Sequence, residues 1–283
     1  MKENTPIIVG FVADLMFTSK IQSVADGTGY KMVWIETAVS VGEVDPDAPP
    51  ERPGEMLHGR GGQLFQKITD WQPVLLLFDL TNQAIPWQQW IPALKSSPAT
   101  RRIPIMAFGP HEDVALMQEA KRVGADQVLA RSRFFSDMPN LFATHARIPD
   151  YDALADTCAQ PLPDLAREGI ELFNQRQFYK CHDSLEEIWK QDESLGRDLY
   201  RGILQTGIAL YQVERGNYRG AMKMLLRVRQ WLDPLPDVCR QVDVAGLRQN
   251  IQEIYETVLE LGEVNLGEFD WEMVQQIRVL EDN

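Results

Sequence analysis

The sequence predicts two domains, a doubly wound parallel α/β sheet followed by an all-helical bundle. Three observations carry this expectation. The 283 residues exceed the usual size of one domain, and each half is long enough to bury its own core. Through residue 147, five short apolar runs alternate with stretches of helical spacing. From Leu165 onward proline is nearly absent until WLDPLPD, and apolar residues recur at three and four, the period of helices packed in a bundle.

In the first half the runs are IIVGFVA, MVWIE, VLLLFDL, IPIMAFG and QVLA. Continuous apolar runs are the signature of parallel strands buried on both faces. FTSKIQSVADG and HEDVALMQEAKRVGA between them have helical spacing, so five strands and about as many helices are expected over residues 1–147. GEVDPDAPPERPGEMLHGRGG, residues 42–62, is rich in proline, glycine and charge and reads as a long exposed loop. Residues 148–163 carry two proline-bearing breaks with weak periodicity and read as a linker to a helical domain over 164–283.

Asp14 follows the first run and Asp79 closes VLLLFD. In open α/β sheets the carboxyl ends of the strands form the ligand crevice, and carboxylates there could hold Mg²⁺. The alternative is that both cap the helices that follow. The order of elements over about residues 5–145 resembles the response-regulator receiver fold, which implies a flavodoxin-like strand order. Asp14 matches its acidic pocket, Asp79 its phosphoacceptor, and KRVGADQVLARS its final Gly-Ala-Asp segment and last strand. Ala13 stands where a second acid is usual, Gly109 where the switch hydroxyl is expected, and Arg131 where the lysine belongs. Gly109 cannot make the hydroxyl's hydrogen bond, and Arg131 offers a fork in place of a compact ammonium. A pseudo-receiver is therefore expected, with a working phosphoreceiver at Asp79 as an alternative.

Helices are predicted near 164–175, 177–191, 195–215, 217–232, 243–262 and 269–280. Gly216 can end one helix in the left-handed conformation and Asn217 can cap the next. In CHDSLEEIWKQ, residues 181–191, Glu186 lies about 40° and Trp189 about 20° from His182 at 100° per residue, so all three join the apolar stripe. A buried carboxylate must be paired or protonated. His182 is expected to meet Glu186 at i+4, with Arg201 or Gln205 of the next helix satisfying them and Gly202 and Ala209 admitting a close neighbour. The constellation reads as a buried structural network, a ligand or peptide pocket, or a metal or catalytic site. His182 and Glu186 supply only two ligands, fewer than a zinc site normally has.

FNQRQFYKCHDSLEEIW (173–189) and LYRGILQTGIALYQVERGNYRGAMKML (199–225) resemble the HxxxExxW family, domain of unknown function 309. His182, Glu186 and Trp189 match its motif, and Gln205, Gly216 and Asn217 its second block. The resemblance implies a site, with a divalent metal as the candidate cofactor and no defined reaction.

Charge is uneven: residues 1–150 hold 14 Lys/Arg against 17 Asp/Glu, and the remainder 14 against 24. An acidic surface repels a phosphate backbone, so nucleic acid is not an expected partner. Cys158, Cys181 and Cys239 form no CxxC pair and suit a reducing compartment. VLLLF is far below membrane-spanning length, and the amino-terminal apolar run, cut short by Asp14, lacks a cleavage pattern. The expectation is a cytoplasmic regulatory or scaffolding protein that meets a protein partner or small ligand, without membrane contact and with a homodimer open. A metal-dependent hydrolase centred on His182 and Glu186 is the alternative enzyme reading.

Overall fold

A computed structural model describes residues 5–42 and 59–280. The chain divides into two compact units, residues 1–148 and 149–283.

In the first unit, strands β1 (Ile7–Phe11), β2 (Lys31–Trp34), β3 (Leu75–Asp79), β4 (Ile105–Gly109) and β5 (Gln127–Ala130) form one parallel sheet in the order β2-β1-β3-β4-β5. This is the flavodoxin-like order of doubly wound sheets. Successive side chains leave a strand on opposite faces. Val9, Phe11, Leu76, Phe78, Ile105 and Ala107 therefore pack on one side, with Ile68, Trp90 and Ile91 from the helices Gly59–Trp71 and Trp87–Ser96. Ile8, Leu75, Leu77, Met106, Phe108 and Leu129 pack on the other, with Ile21, Phe134 and Phe142. Both faces are buried, which is why the runs read as continuously apolar. The Gly-Ala-Asp turn has a structural role: Gly124 takes φ 114°, and Asp126 accepts from the Ile105 amide at 2.7 Å, pinning the start of β4. Of the loop expected over 42–62, residues 43–58 lie outside the described residues, and helix starts at Gly59.

The second unit is helical. Naming only the helices used below, α1 is Tyr151–Cys158, α2 Asp164–Asn174, α3 Cys181–Gln191, α4 Asp198–Glu214, α5 Tyr218–Leu232 and α6 Val244–Leu261. A two-stranded hairpin, β6 (Val238–Cys239) and β7 (Val242–Asp243), precedes α6. Gly216 takes φ 66° between α4 and α5, and Asn217 caps α5 by accepting from the Gly220 amide at 3.0 Å. Gly202 admits Leu232 so closely that an added Cβ would lie 2.2 Å from its Cδ2.

Three expectations need correction. The supposed linker 148–163 contains helix α1, capped by Asp150. The segment 269–280 is not an α-helix. Asn174 binds both backbone groups of Ile277 (3.0 and 2.8 Å), Asn250 binds the Met273 carbonyl and the Gln275 amide (2.7 and 3.0 Å), and Val279 bridges to Val242. Those partners replace the bonds a helix would make. Finally, Cys158 and Cys239 form a disulfide across 81 residues, leaving Cys181 as a buried free thiol. Disulfides persist where conditions oxidise, so the cysteines no longer support the expected reducing, cytoplasmic setting. Among the described residues no helix is long and apolar enough to cross a membrane.

Candidate functional site

The four receiver-like positions sit at the carboxyl edge of the sheet, at or just beyond the ends of β1, β3, β4 and β5. Asp14 is exposed and caps the helix Leu15–Gly27, its Oδ1 accepting from the Met16 and Phe17 amides at 2.9 and 3.1 Å. The capping alternative thus describes Asp14. Asp79 instead is buried, and its Oδ1 accepts from both the amide and the hydroxyl of Thr81, at 2.9 and 2.7 Å. Arg131 donates to that same hydroxyl at 3.1 Å, lies 3.9 Å from Asp79 Oδ1, and rests its guanidinium 4.7 Å from the centre of the Phe17 ring. Asp79, Thr81 and Arg131 thus form a hydrogen-bonded relay beside the Phe17 ring. Sequence reasoning missed Thr81, although an Asp two residues ahead of a Thr is the pattern of a local side-chain turn. A Cβ at Gly109 would meet Leu80 at 3.4 Å, an ordinary contact, so packing does not forbid a hydroxyl there.

In the helical unit the anticipated network is rearranged. Glu186 does not meet His182. Its side chain is 40% exposed and pairs with Lys190 at 2.8 Å, because Lys190 lies one turn further along the polar edge of the same helix. His182 faces Asp183, with Nδ1 and Oδ1 3.5 Å apart. Arg201 and Gln205 serve a different partner. The Arg201 guanidinium stacks 4.5 Å from the Trp189 ring centre and 4.1 Å from that of Trp231. Buried Gln205 accepts from Trp231 Nε1 at 3.1 Å. Arg197 approaches the Trp189 ring at 5.5 Å. A guanidinium held between two indole faces is attracted by both ring quadrupoles. The structure therefore unites Trp189, Arg201 and Gln205 through Trp231 of α5, and leaves His182 and Glu186 at the half-exposed margin. Trp231 went unnoticed because nothing in its spacing ties it to the motif. The buried Trp189 Nε1 has no hydrogen-bond acceptor among the described residues.

The Lys190 hydrogen bond, with smaller help from Lys190 and His182 charge, holds the Glu186 carboxyl below its usual range. A depressed carboxylate stabilises the fold above its unfolded pKa, and that contribution is lost as pH falls through the folded value. In a carboxyl NMR titration, Lys190→Met should move the Glu186 midpoint upward; an unmoved midpoint would refute the pairing.

Among the described residues no group of three or more His, Cys, Asp or Glu is placed to hold a metal ion.

Residues 166–224 match the family model "Domain of unknown function (DUF309)". His182, Glu186, Trp189, Arg201 and Gln205 all lie inside this DUF309 segment, and Trp231 lies beyond it. An uncharacterized protein from Aquifex aeolicus (strain VF5) is 27% identical over 97 residues, which cover 33% of this chain and 28% of that protein. Uncharacterized protein YpuF from Bacillus subtilis (strain 168) is 37% identical over 57 residues, 20% of this chain and 33% of that one. The matches thus span a third or less of either relative. Solved structures similar to this chain include a response-regulator receiver domain from Rhodospirillum rubrum, at 18% identity and a TM-score of 0.37 over 51% of this chain and 97% of that one. Another is the receiver domain of a sensor histidine kinase from Pseudomonas aeruginosa PAO1, at 10% identity and a TM-score of 0.37, over 50% and 96%.

Proposed function

We propose that the protein is a regulatory docking protein, in which a pseudo-receiver unit is joined to a DUF309 segment that binds a protein partner or a small ligand. The observation that carries this reading is the engagement of Asp79. Its carboxylate already accepts two hydrogen bonds from Thr81 beside Arg131, and the other acid of the crevice, Asp14, is occupied as a helix cap. Phosphoryl transfer to an aspartate relies on a metal bridging oxygens and on a cation free to offset developing charge. Here the cation is tied into the resting relay, and Gly109 offers no hydroxyl to follow a phosphate.

The test is amide exchange on the full chain with and without Mg²⁺ and beryllofluoride, a phosphoryl mimic. Exchange around β4 and β5 should be unchanged. A protection change abolished by Asp79→Asn would establish the working phosphoreceiver instead. The hydrolase alternative would need Glu186 released from Lys190, with which it is paired, and no hydrogen bond joins it to His182.

A further inference from the structure

Helix α1 buries two side chains in the helical unit, and one of them is half of the disulfide. Of its eight residues only Leu154 and Cys158 are buried. They lie four apart, on one face. A helix this short does not hold its conformation in isolation. Leu162 is buried again just ahead of α2, so residues 149–161 are the stretch that depends on the α1 attachment.

The other half of the bond sits on a rigid mount. Cys239 is fully buried in β6, and the turn to β7 places both Arg240 and Gln241 in the left-handed region, at φ 48° and 66°. The Arg240 amide donates to the Cys158 carbonyl at 2.7 Å. Its guanidinium is buried and reaches Asp192 Oδ2 at 2.8 Å and Ser194 Oγ at 2.9 Å, in the loop between α3 and α4. The hairpin is thus held by the bundle through Arg240, whereas α1 has the disulfide as its covalent tie, beside the Arg240–Cys158 backbone bond and packing on residues 195–197.

From this asymmetry we infer that Cys158 and Cys239 form a thiol–disulfide exchange site for dithiol reductants, and that the bond is a latch for α1. The reductant supplies two electrons and two protons: the sulfur–sulfur bond breaks, both cysteines become thiols, and the dithiol closes to its own disulfide. Neither sulfur is open to attack while α1 is seated, so exchange proceeds through local opening of that helix, the least supported one in the unit. Once reduced, α1 is left with one buried leucine, one backbone bond and its packing on residues 195–197, and undocks, while α2 to α6 keep their packing. The boundary between the two compact units falls at residues 148 and 149, immediately before the released stretch. Release therefore adds about 45 Å of extendable chain there. This inference is independent of the docking reading.

The experiment is amide exchange by mass spectrometry on the full oxidised chain, before and after dithiothreitol without denaturant, with alkylation to record which cysteines open. Peptides covering 151–158 should exchange at least about tenfold faster after reduction, with α3 to α5 unchanged and only Cys158 and Cys239 alkylated. Unchanged protection of α1 after reduction would overturn the inference. So would simultaneous loss of protection in α3 to α5, which marks a structural cross-link, or a bond that dithiothreitol cannot open in the native protein. The Cys158→Ser, Cys239→Ser variant should reproduce the reduced pattern; if it fails to fold, reduction of the unaltered chain still decides.

Discussion

Trp231→Ala should destabilise the helical unit by about 3–5 kcal/mol, the usual range for emptying a buried tryptophan site. Trp231 is 4% exposed, and three things are lost with it: the packed indole, one of the two faces holding Arg201, and the donor to Gln205. Trp231→Phe separates them. A benzene ring keeps much of the apolar burial and a face for the guanidinium, but strands the buried Gln205 oxygen, which should cost about 1–3 kcal/mol. Urea unfolding of both variants reads the difference at constant m. If alanine costs less than about 1 kcal/mol, the stack does not organise this part of the bundle. Arg201→Lys adds a control on chemistry, because an ammonium lacks the flat face that lies between two indoles.

The second large effect is expected from the cross-link. Closing a loop of 81 residues removes unfolded-state entropy equivalent to about 4–5 kcal/mol in the chain-entropy account. The Cys158→Ser, Cys239→Ser variant should therefore unfold at markedly lower urea, with a steeper transition because its denatured chain is less compact. The loop encloses α2 to α5, so the loss falls on the unit that carries the tryptophan–arginine stack. A variant as stable as the parent would show that the bond does not form in solution. Global stability can fall this far while the native packing of α2 to α6 persists, since the term acts on the unfolded chain.

Much of the first unit was legible because its physics is local. Strands buried on both faces read as unbroken apolar runs, and helices between them keep their period. The position of Asp79 at a strand end followed from the same pattern. Its relay to Thr81 and Arg131 was only half visible, because the contact between Thr81 and Arg131, just past the ends of β3 and β5, spans 50 residues. In the second unit, helix periods were readable but the terminal segment was not: apolar spacing at 269–280 imitates a helix, while Asn174 and Asn250 dictate an extended path from far away. Glu186 was misplaced by a small angle. About 40° from His182 and 40° from Lys190 on the wheel, it sits on the border between stripe and solvent, and a nearby ammonium decides the outcome. The disulfide had no spacing signature, and the stack on Arg201 required a third helix.

Cys181 has a practical consequence. Its thiol is fully buried, donates to the Phe178 carbonyl, and is pushed up to about 12, chiefly by burial. It fills the space above Gly207, where an added Cβ would come within 2.8 Å of the sulfur. A thiol so masked is inert to alkylating agents until α3 and α4 part. The chain thus carries its own tamper seal: a label on Cys181 records that the bundle has come apart, and an unlabelled Cys181 certifies that any other change took place in an intact molecule.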